Sequence, residues 1–226
     1  MKLVLFDVDG TLLSSRGAGT VSLNLALRDL FTIHGAFRDI NMAGKTDIQI
    51  IKEGLLQHRI VPDSSRVLMV IASYLENLQR EIKKTDRKHL NPGVRVVLTA
   101  LIEDRTGTYV GLLTGNVEER ARIKLETFNL NSYFLFGAFG SHDEDRNKLL
   151  PVAVGRFETI YQVEIDFSDC IVVGDTPRDV YCARLYGAFS VAVSTGPYSA
   201  NALVRAGADI VFEDLSDKCA FLNAVE

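Results

Sequence analysis

A doubly wound α/β fold with a helical insertion is what the sequence predicts, and three observations predict it. Short apolar runs end in clusters of Gly, Asp, Thr or Ser, as buried parallel strands do where their C-terminal ends open into loops. In the C-terminal half these runs alternate with stretches of helical periodicity, the pattern of βαβ units. Between Val21 and Lys84, by contrast, the chain carries helical pattern with no convincing strand.

The elements follow in order. Leu3–Phe6 is a run of four apolar residues before Asp7 and reads as the first strand. In the segment that follows, Val67, Ile71, Tyr74, Leu78 and Ile82 fall at steps of four, three, four and four, one apolar stripe of a helix. Its flanks, Ser14-Ser15-Arg16-Gly17-Ala18-Gly19 and Asn91-Pro92-Gly93, have the turn chemistry of hinges. Residues 15–90 are therefore expected as a helical module inserted into a core of residues 1–14 and 91–226. The core continues with helix Val94–Glu103, strand Tyr109–Leu113 and helix Glu118–Phe128. Strand Ile171–Val173, helix Pro177–Leu185, strand Phe189–Val193, helix Ala200–Ala206 and the weaker strand Asp209–Phe212 complete it. There is no internal repeat.

The 226 residues carry 25 Lys+Arg against 29 Asp+Glu, a net charge of −4, with 47% apolar and 24% charged residues. These are ordinary globular values, which exclude collagenous, low-complexity and disordered classes. Without a basic run the chain lacks the footprint of a nucleic-acid or anionic-membrane binder. Asp7 and Asp9 interrupt the N-terminal apolar stretch before a signal-peptide core forms, so a cytoplasmic protein is expected. Cys170, Cys182 and Cys219 are odd in number and lack a CxxC spacing, so they read as reduced thiols. His34, His58, His89 and His142 show neither ligand nor triad spacing.

Three clusters carry chemistry, and each follows an apolar run. Asp7-Val8-Asp9-Gly10-Thr11 puts two carboxylates two residues apart, on one side of the chain as it leaves the strand, with Gly10 permitting a tight turn. Acids so paired repel unless a cation or a shared proton relieves them. Thr114-Gly115-Asn116 opens the next helix, and its hydroxyl, glycine amide and free N-terminal N–H groups make either a phosphate site or a plain N-cap. Gly174-Asp175-Thr176-Pro177-Arg178-Asp179 sets two acids four residues apart around a proline suited to the first helical position. Hard carboxylate oxygens without His or Cys favour Mg²⁺ over zinc.

Taken together, these clusters resemble motifs I, II and IV of the haloacid dehalogenase-like (HAD) hydrolase superfamily. The resemblance covers residues 1–14 and 91–215, and the helical insertion is similar in position and character to the C1-type cap of phosphoglycolate phosphatase-like and β-phosphoglucomutase-like members. It implies a Rossmann-like core in which Asp7 is the nucleophile that becomes an aspartyl-phosphate and Asp9 is the general acid and then base. It further implies Mg²⁺ held by the Asp7 carboxylate, the Asp9 carbonyl and Asp175, with Asp179 as a further or water-mediated ligand. Thr114, Gly115 and Asn116, with Gly10, would contact the phosphoryl group.

For the cation that stabilises phosphoryl charge in this family, register and chemistry disagree. Counting back five from Pro151, as the family's proline pattern asks, gives Arg146, whereas Lys148 is the usual residue type. The adjoining acidic loop, His142 to Asp145, reads as solvated surface. Ala43-Gly44-Lys45-Thr46-Asp47 resembles the cap's specificity loop, so Lys45 and Thr46 are candidate substrate contacts; the alternative is a solvated lysine before a helix capped by Thr46 or Asp47. The expected activity is hydrolysis of a small phosphate ester, phosphoglycolate by analogy of cap type, by a monomer or weak homo-oligomer. A phosphomutase shares the same core and stays open. A haloacid dehalogenase would leave Asp9, Asp175 and Asp179 idle, and a non-catalytic scaffold would be expected to have lost a motif acid.

Overall fold

The structure is a computed structural model that describes residues 1–103 and 107–225; residues 104–106 and 226 fall within the span expected as core and lie outside the described residues. Six parallel strands form the central sheet: β1 (Lys2–Phe6), β4 (Thr108–Thr114), β5 (Gly137–Phe139), β6 (Cys170–Gly174), β7 (Phe189–Val193) and β8 (Ile210–Phe212). Two further two-residue strands, β2 (Leu13–Ser14) and β3 (His89–Leu90), pair antiparallel, Leu13 with Leu90 and Ser14 with His89. The helices are α1 (Ala18–Phe31), α2 (Asp47–Gln57), α3 (Ser64–Lys84), α4 (Val94–Glu103), α5 (Glu118–Glu126), α6 (Leu149–Tyr161), α7 (Pro177–Leu185), α8 (Ala200–Ala206) and α9 (Lys218–Val225).

The sheet order is β5-β4-β1-β6-β7-β8. Alternation along β1 sends Val4 and Phe6 to one face and Leu3 and Leu5 to the other. The first face packs with Val97, Leu98, Leu125 and Phe221 from α4, α5 and α9; the second packs with Leu150, Phe157 and Ala183 from α6 and α7. Both faces are covered, which is why these strands read as continuous apolar runs. Residues from α1, α2 and α3 form a separate apolar cluster that includes Leu23, Leu27, Ile51, Val70, Tyr74 and Leu78.

Five elements were not predicted. β5 is only three residues in a phenylalanine-rich stretch, and β2 and β3 are too short for any periodicity. α6 begins immediately after the Arg146–Lys148 turn, and its buried Leu149, Leu150, Ala153, Val154 and Phe157 follow helical spacing. α9 closes the described chain with Phe221 against Phe6. Among the described residues no helix is long and apolar enough to cross a membrane.

Position follows from the strand order. β1 sits between β4 and β6, so the C-terminal ends of three neighbouring strands, Phe6, Thr114 and Gly174, open side by side. From β1 the chain builds the sheet to one side through β4 and β5, then crosses over to β6, β7 and β8 on the other, and such a switch point leaves a crevice for a ligand.

Candidate active site

Asp7 follows β1 directly, its N–H donating to the Val173 carbonyl at 2.9 Å, so the backbone is held as firmly as the strand itself. Its side chain is buried, and burial pushes its carboxyl from 3.8 up to about 6, with Arg146 pulling it down and Asp179 pushing it further up. Asp175, after β6, is also buried and accepts a hydrogen bond from the Thr11 hydroxyl at 3.2 Å. Burial and the neighbouring charges of Asp7 and Asp179 push its carboxyl well above the usual range. Gly10 has φ +79, and a Cβ there would overlap the Asp175 carboxylate, so the turn admits only glycine. Asn91, next to β3, braces the turn by donating to the carbonyls of Gly10 (2.7 Å) and Thr11 (2.9 Å).

Asp7, Asp175 and Asp179 offer oxygens within 4.8 Å of one another, and Asp7 Oδ1 is buried without a hydrogen bond. Three crowded, desolvated carboxylates with an open acceptor suit a hard divalent cation. Asp179 has other duties: Oδ2 accepts from the Thr176 N–H (2.9 Å) and hydroxyl (2.7 Å) at the start of α7, and Oδ1 pairs with Arg146. Arg146 itself is 4% exposed, with Nη2 3.4 Å from Asp7 Oδ1. Lys148 does not join them. Its side chain is 62% exposed and pairs with Asp143 at 3.3 Å, because the turn before α6 points it outward.

Around Asp9 the surroundings have the opposite sign. Burial alone would raise its carboxyl, but Lys124 and Arg120 bring it down to about 2. Lys124 Nζ lies 2.5 Å from Asp9 Oδ2, the Asn116 amide donates to the same oxygen at 3.1 Å, and Arg120 Nη2 stands 3.6 Å away. Asn116 also donates to the Thr114 hydroxyl at 2.8 Å, tying the end of β4 to the end of β1.

The helical insertion closes over this floor. Asp47, fully buried at the start of α2, accepts from the Val117 N–H at 2.8 Å and pairs with Arg120. Val117 precedes α5 and has no side chain to cap it, so an acid from another helix takes that role. In return the Asp47 N–H donates to the Gly115 carbonyl at 2.8 Å, and a Cβ at Gly115 would strike the Lys45 backbone. Lys45 lines the enclosed space with its ammonium 2.5 Å from Glu53. Thr46 does not line it: its hydroxyl donates to the Glu144 carbonyl (2.8 Å) and accepts from the Gln49 N–H (3.2 Å) as the cap of α2.

Between insertion and sheet lies a cavity of about 240 Å³, walled by Asp7, Asp9, Gly10, Gly115, Asn116, Arg120, Arg146 and Asp175 from the core side. The structure thus brings together Asp7, Asp9, Gly10, Gly115, Asn116, Lys45, Arg146 and Asp175, with Thr114 and Asp179 buried behind them. Sequence reasoning passed over Lys124 and Arg120, read Asn91 as part of a hinge, and gave Asp47 as part of the cap loop or, as the alternative to Thr46, as a cap of the following helix. One signal was present: Lys124 shares the buried face of α5 with Ala121 and Leu125, an unusual place for a lysine.

Comparison with known proteins agrees with this architecture. Residues 4–193 match the family model described as haloacid dehalogenase-like hydrolase. A phosphoglycolate phosphatase of Pseudomonas savastanoi pv. phaseolicola is 26% identical over 95% of this chain and 77% of its own length. A phosphoglycolate phosphatase of Vibrio cholerae serotype O1 is 24% identical over 95% of this chain and 94% of its own. In structure, CbbY from Rhodobacter sphaeroides, solved with phosphate, superposes with a TM-score of 0.74 at 15% identity over 96% of each chain. A hydrolase from Pseudomonas syringae gives 0.73 at 20% identity over 100% of this chain and 99% of that one. With a family match across most of its length and a parallel sheet that brings the motif acids to one crevice, the chain belongs to the haloacid dehalogenase-like hydrolases.

Proposed function

We propose that this protein is a Mg²⁺-dependent phosphomonoester hydrolase acting on a small phosphorylated metabolite through a phosphoryl group carried on Asp7. The observation that carries the reading is Asp7 facing the Arg146 guanidinium at the floor of the cavity that Asp9 also lines. A carboxylate nucleophile, a second carboxyl for proton transfer and a buried cation for the phosphoryl oxygens are the parts phosphoryl transfer needs.

The phosphoryl oxygens would be received by Arg146 and the Gly115 N–H, with phosphorus facing Asp7 and Thr114 backing the site from behind. The Asp7 carboxylate forms a bond to phosphorus as the bond to the ester oxygen breaks, and that oxygen takes a proton from Asp9. The incoming phosphoryl charge raises the proton affinity of Asp9 from its low resting value. Water then attacks the aspartyl-phosphate, Asp9 takes its proton, and inorganic phosphate leaves with the Asp7 carboxylate restored. Asp7 and Asp175, which share an acidic cluster, would hold Mg²⁺ together with the Asp9 carbonyl that the family resemblance implies, and its charge would offset the buried acids and draw the anionic substrate in. Asp179 contributes by keeping Arg146 in place.

Residues 15–90 serve as a cap in this reading. They wall the cavity from above, exclude bulk water and admit only a small ester into about 240 Å³. Phosphoglycolate is the first substrate to try, since two relatives carry that name. Replacing Asp7 by Asn keeps the shape and removes the nucleophile. Turnover of p-nitrophenyl phosphate and phosphoglycolate should fall at least ~1000-fold with an unchanged circular dichroism spectrum. Wild-type rates in that variant would refute the covalent route.

A further inference from the structure

The contacts of Asp9 are one-sided. Lys124, Asn116 and Arg120 all converge on Oδ2, and among the described residues Oδ1 takes no hydrogen bond. Asp9 is 37% exposed at its side chain and lines the cavity, so one oxygen is anchored in the protein while the other stays free. The anchor is costly in itself. Lys124 is fully buried, and an ammonium withdrawn from water is stable only where charge and hydrogen bonds replace its hydration. Here they come from Asp9 Oδ2 at 2.5 Å and Asn116 Oδ1 at 2.9 Å. A buried position on α5 beside Ala121 and Leu125 could be filled by an apolar side chain if packing were the only need.

We propose that Lys124 is a positioning residue for proton transfer: with Asn116 it fixes Oδ2 of Asp9 and thereby presents Oδ1 to the leaving oxygen of the substrate. This inference rests on the reading of Asp9 as the proton-transfer residue. The carboxylate has little freedom about its side-chain bonds while Oδ2 is tethered, and a proton donor must sit within hydrogen-bond reach of the oxygen it serves.

Leaving-group dependence tests this. An alkoxide needs its proton in the transition state, whereas p-nitrophenolate is a good leaving group and needs it little. Specificity constants (kcat/KM) report the steps up to phosphoryl transfer onto Asp7 for both kinds of ester. The comparison therefore uses p-nitrophenyl phosphate and whichever alkyl phosphate the wild type hydrolyses fastest, with Lys124→Met and Lys124→Gln. Lys124→Met should lose about 100-fold on the alkyl ester and about threefold or less on the aryl ester. Lys124→Gln, which keeps a donor without the charge, should show a smaller split, and it carries the test if the Met variant does not fold. Equal losses on both esters, or none on either, would overturn the positioning role. Wild-type protein inert toward every ester would overturn the phosphatase reading itself, and this inference with it.

Discussion

Replacing Arg146 and Lys148 separately by Met distinguishes two cations, one favoured by register in the sequence and the other by residue type. Arg146 is 4% exposed and lies between Asp179, with which it pairs, and Asp7 at 3.4 Å. Removing one partner of a buried ion pair costs about 3–5 kcal/mol, because the remaining charge stays uncompensated. With a urea slope of about 3 kcal/mol per M for a chain of this size, the unfolding midpoint of metal-free protein should drop by about 1–2 M. Loss of a preorganised cation facing the phosphoryl group should also lower kcat by about 100- to 1000-fold. Lys148 pairs with Asp143 at 3.3 Å from a side chain 62% exposed, and such a pair is worth about 0.5 kcal/mol or less. Its replacement should leave the midpoint within about 0.2 M and the rate within about twofold. Urea unfolding followed by circular dichroism and initial rates on p-nitrophenyl phosphate give both numbers. A Lys148→Met variant that loses more activity than Arg146→Met would refute the assignment.

The remaining predictions concern metal and closure. EDTA should abolish activity and Mg²⁺ restore it, and Mg²⁺ at about 100 times its Kd should add about 2.7 kcal/mol of stability, or roughly 5–10 °C in Tm. That gain should be larger at pH 7.5 than at pH 5. Asp7 has a folded value near 6 against an ordinary 3.8, so the folded state binds its proton more tightly than the unfolded chain. Metal-free stability from this group is thus greatest below the ordinary value and is lost as pH rises through about 6, where the ionised carboxylate becomes available to Mg²⁺. An equal Tm gain at both pH values would contradict the site. Asp47→Ala removes the acceptor of the Val117 N–H and the partner of Arg120. It should cost about 3 kcal/mol, about 6–12 °C in Tm, and speed hydrogen exchange at the Val117 amide. Unchanged protection there would show that Asp47 does not hold the insertion to α5.

The strand-end motifs were legible because their chemistry is local. Asp7 and Asp9, Thr114 to Asn116, and Asp175 each stand at or just past the end of a strand whose apolar run marks where it stops. Parallel pairing then aligned those ends without further information. What stayed hidden is what depends on distance in the chain. Lys124 and Arg120 lie on a helix whose sequence names no partner, and only the fold sets them beside Asp9, more than a hundred residues earlier. Of the two caps the sequence offered for α2, Thr46 has that role, and Asp47 reaches α5 instead. Between Arg146 and Lys148, the spacing from Pro151 pointed to the residue that the fold buries beside Asp7, while residue type pointed to the one that the short turn before α6 faces outward.

The two-residue pairing of β2 with β3 bears on how the molecule folds. The partners of β1 lie far along the chain, with Lys2 beside Thr108 and Leu3 beside Cys170, so forming the central sheet means closing loops of more than a hundred residues. Leu13 against Leu90 acts as a clasp on the first of these. Once the mainly local contacts of α1 to α3 have formed and the clasp is shut, the effective loop between β1 and β4 shrinks about fourfold. At roughly 0.6 kcal/mol per halving, that removes about 1.2 kcal/mol of closure entropy. A helical segment that interrupts the sheet in sequence thereby shortens the search that builds the sheet in space.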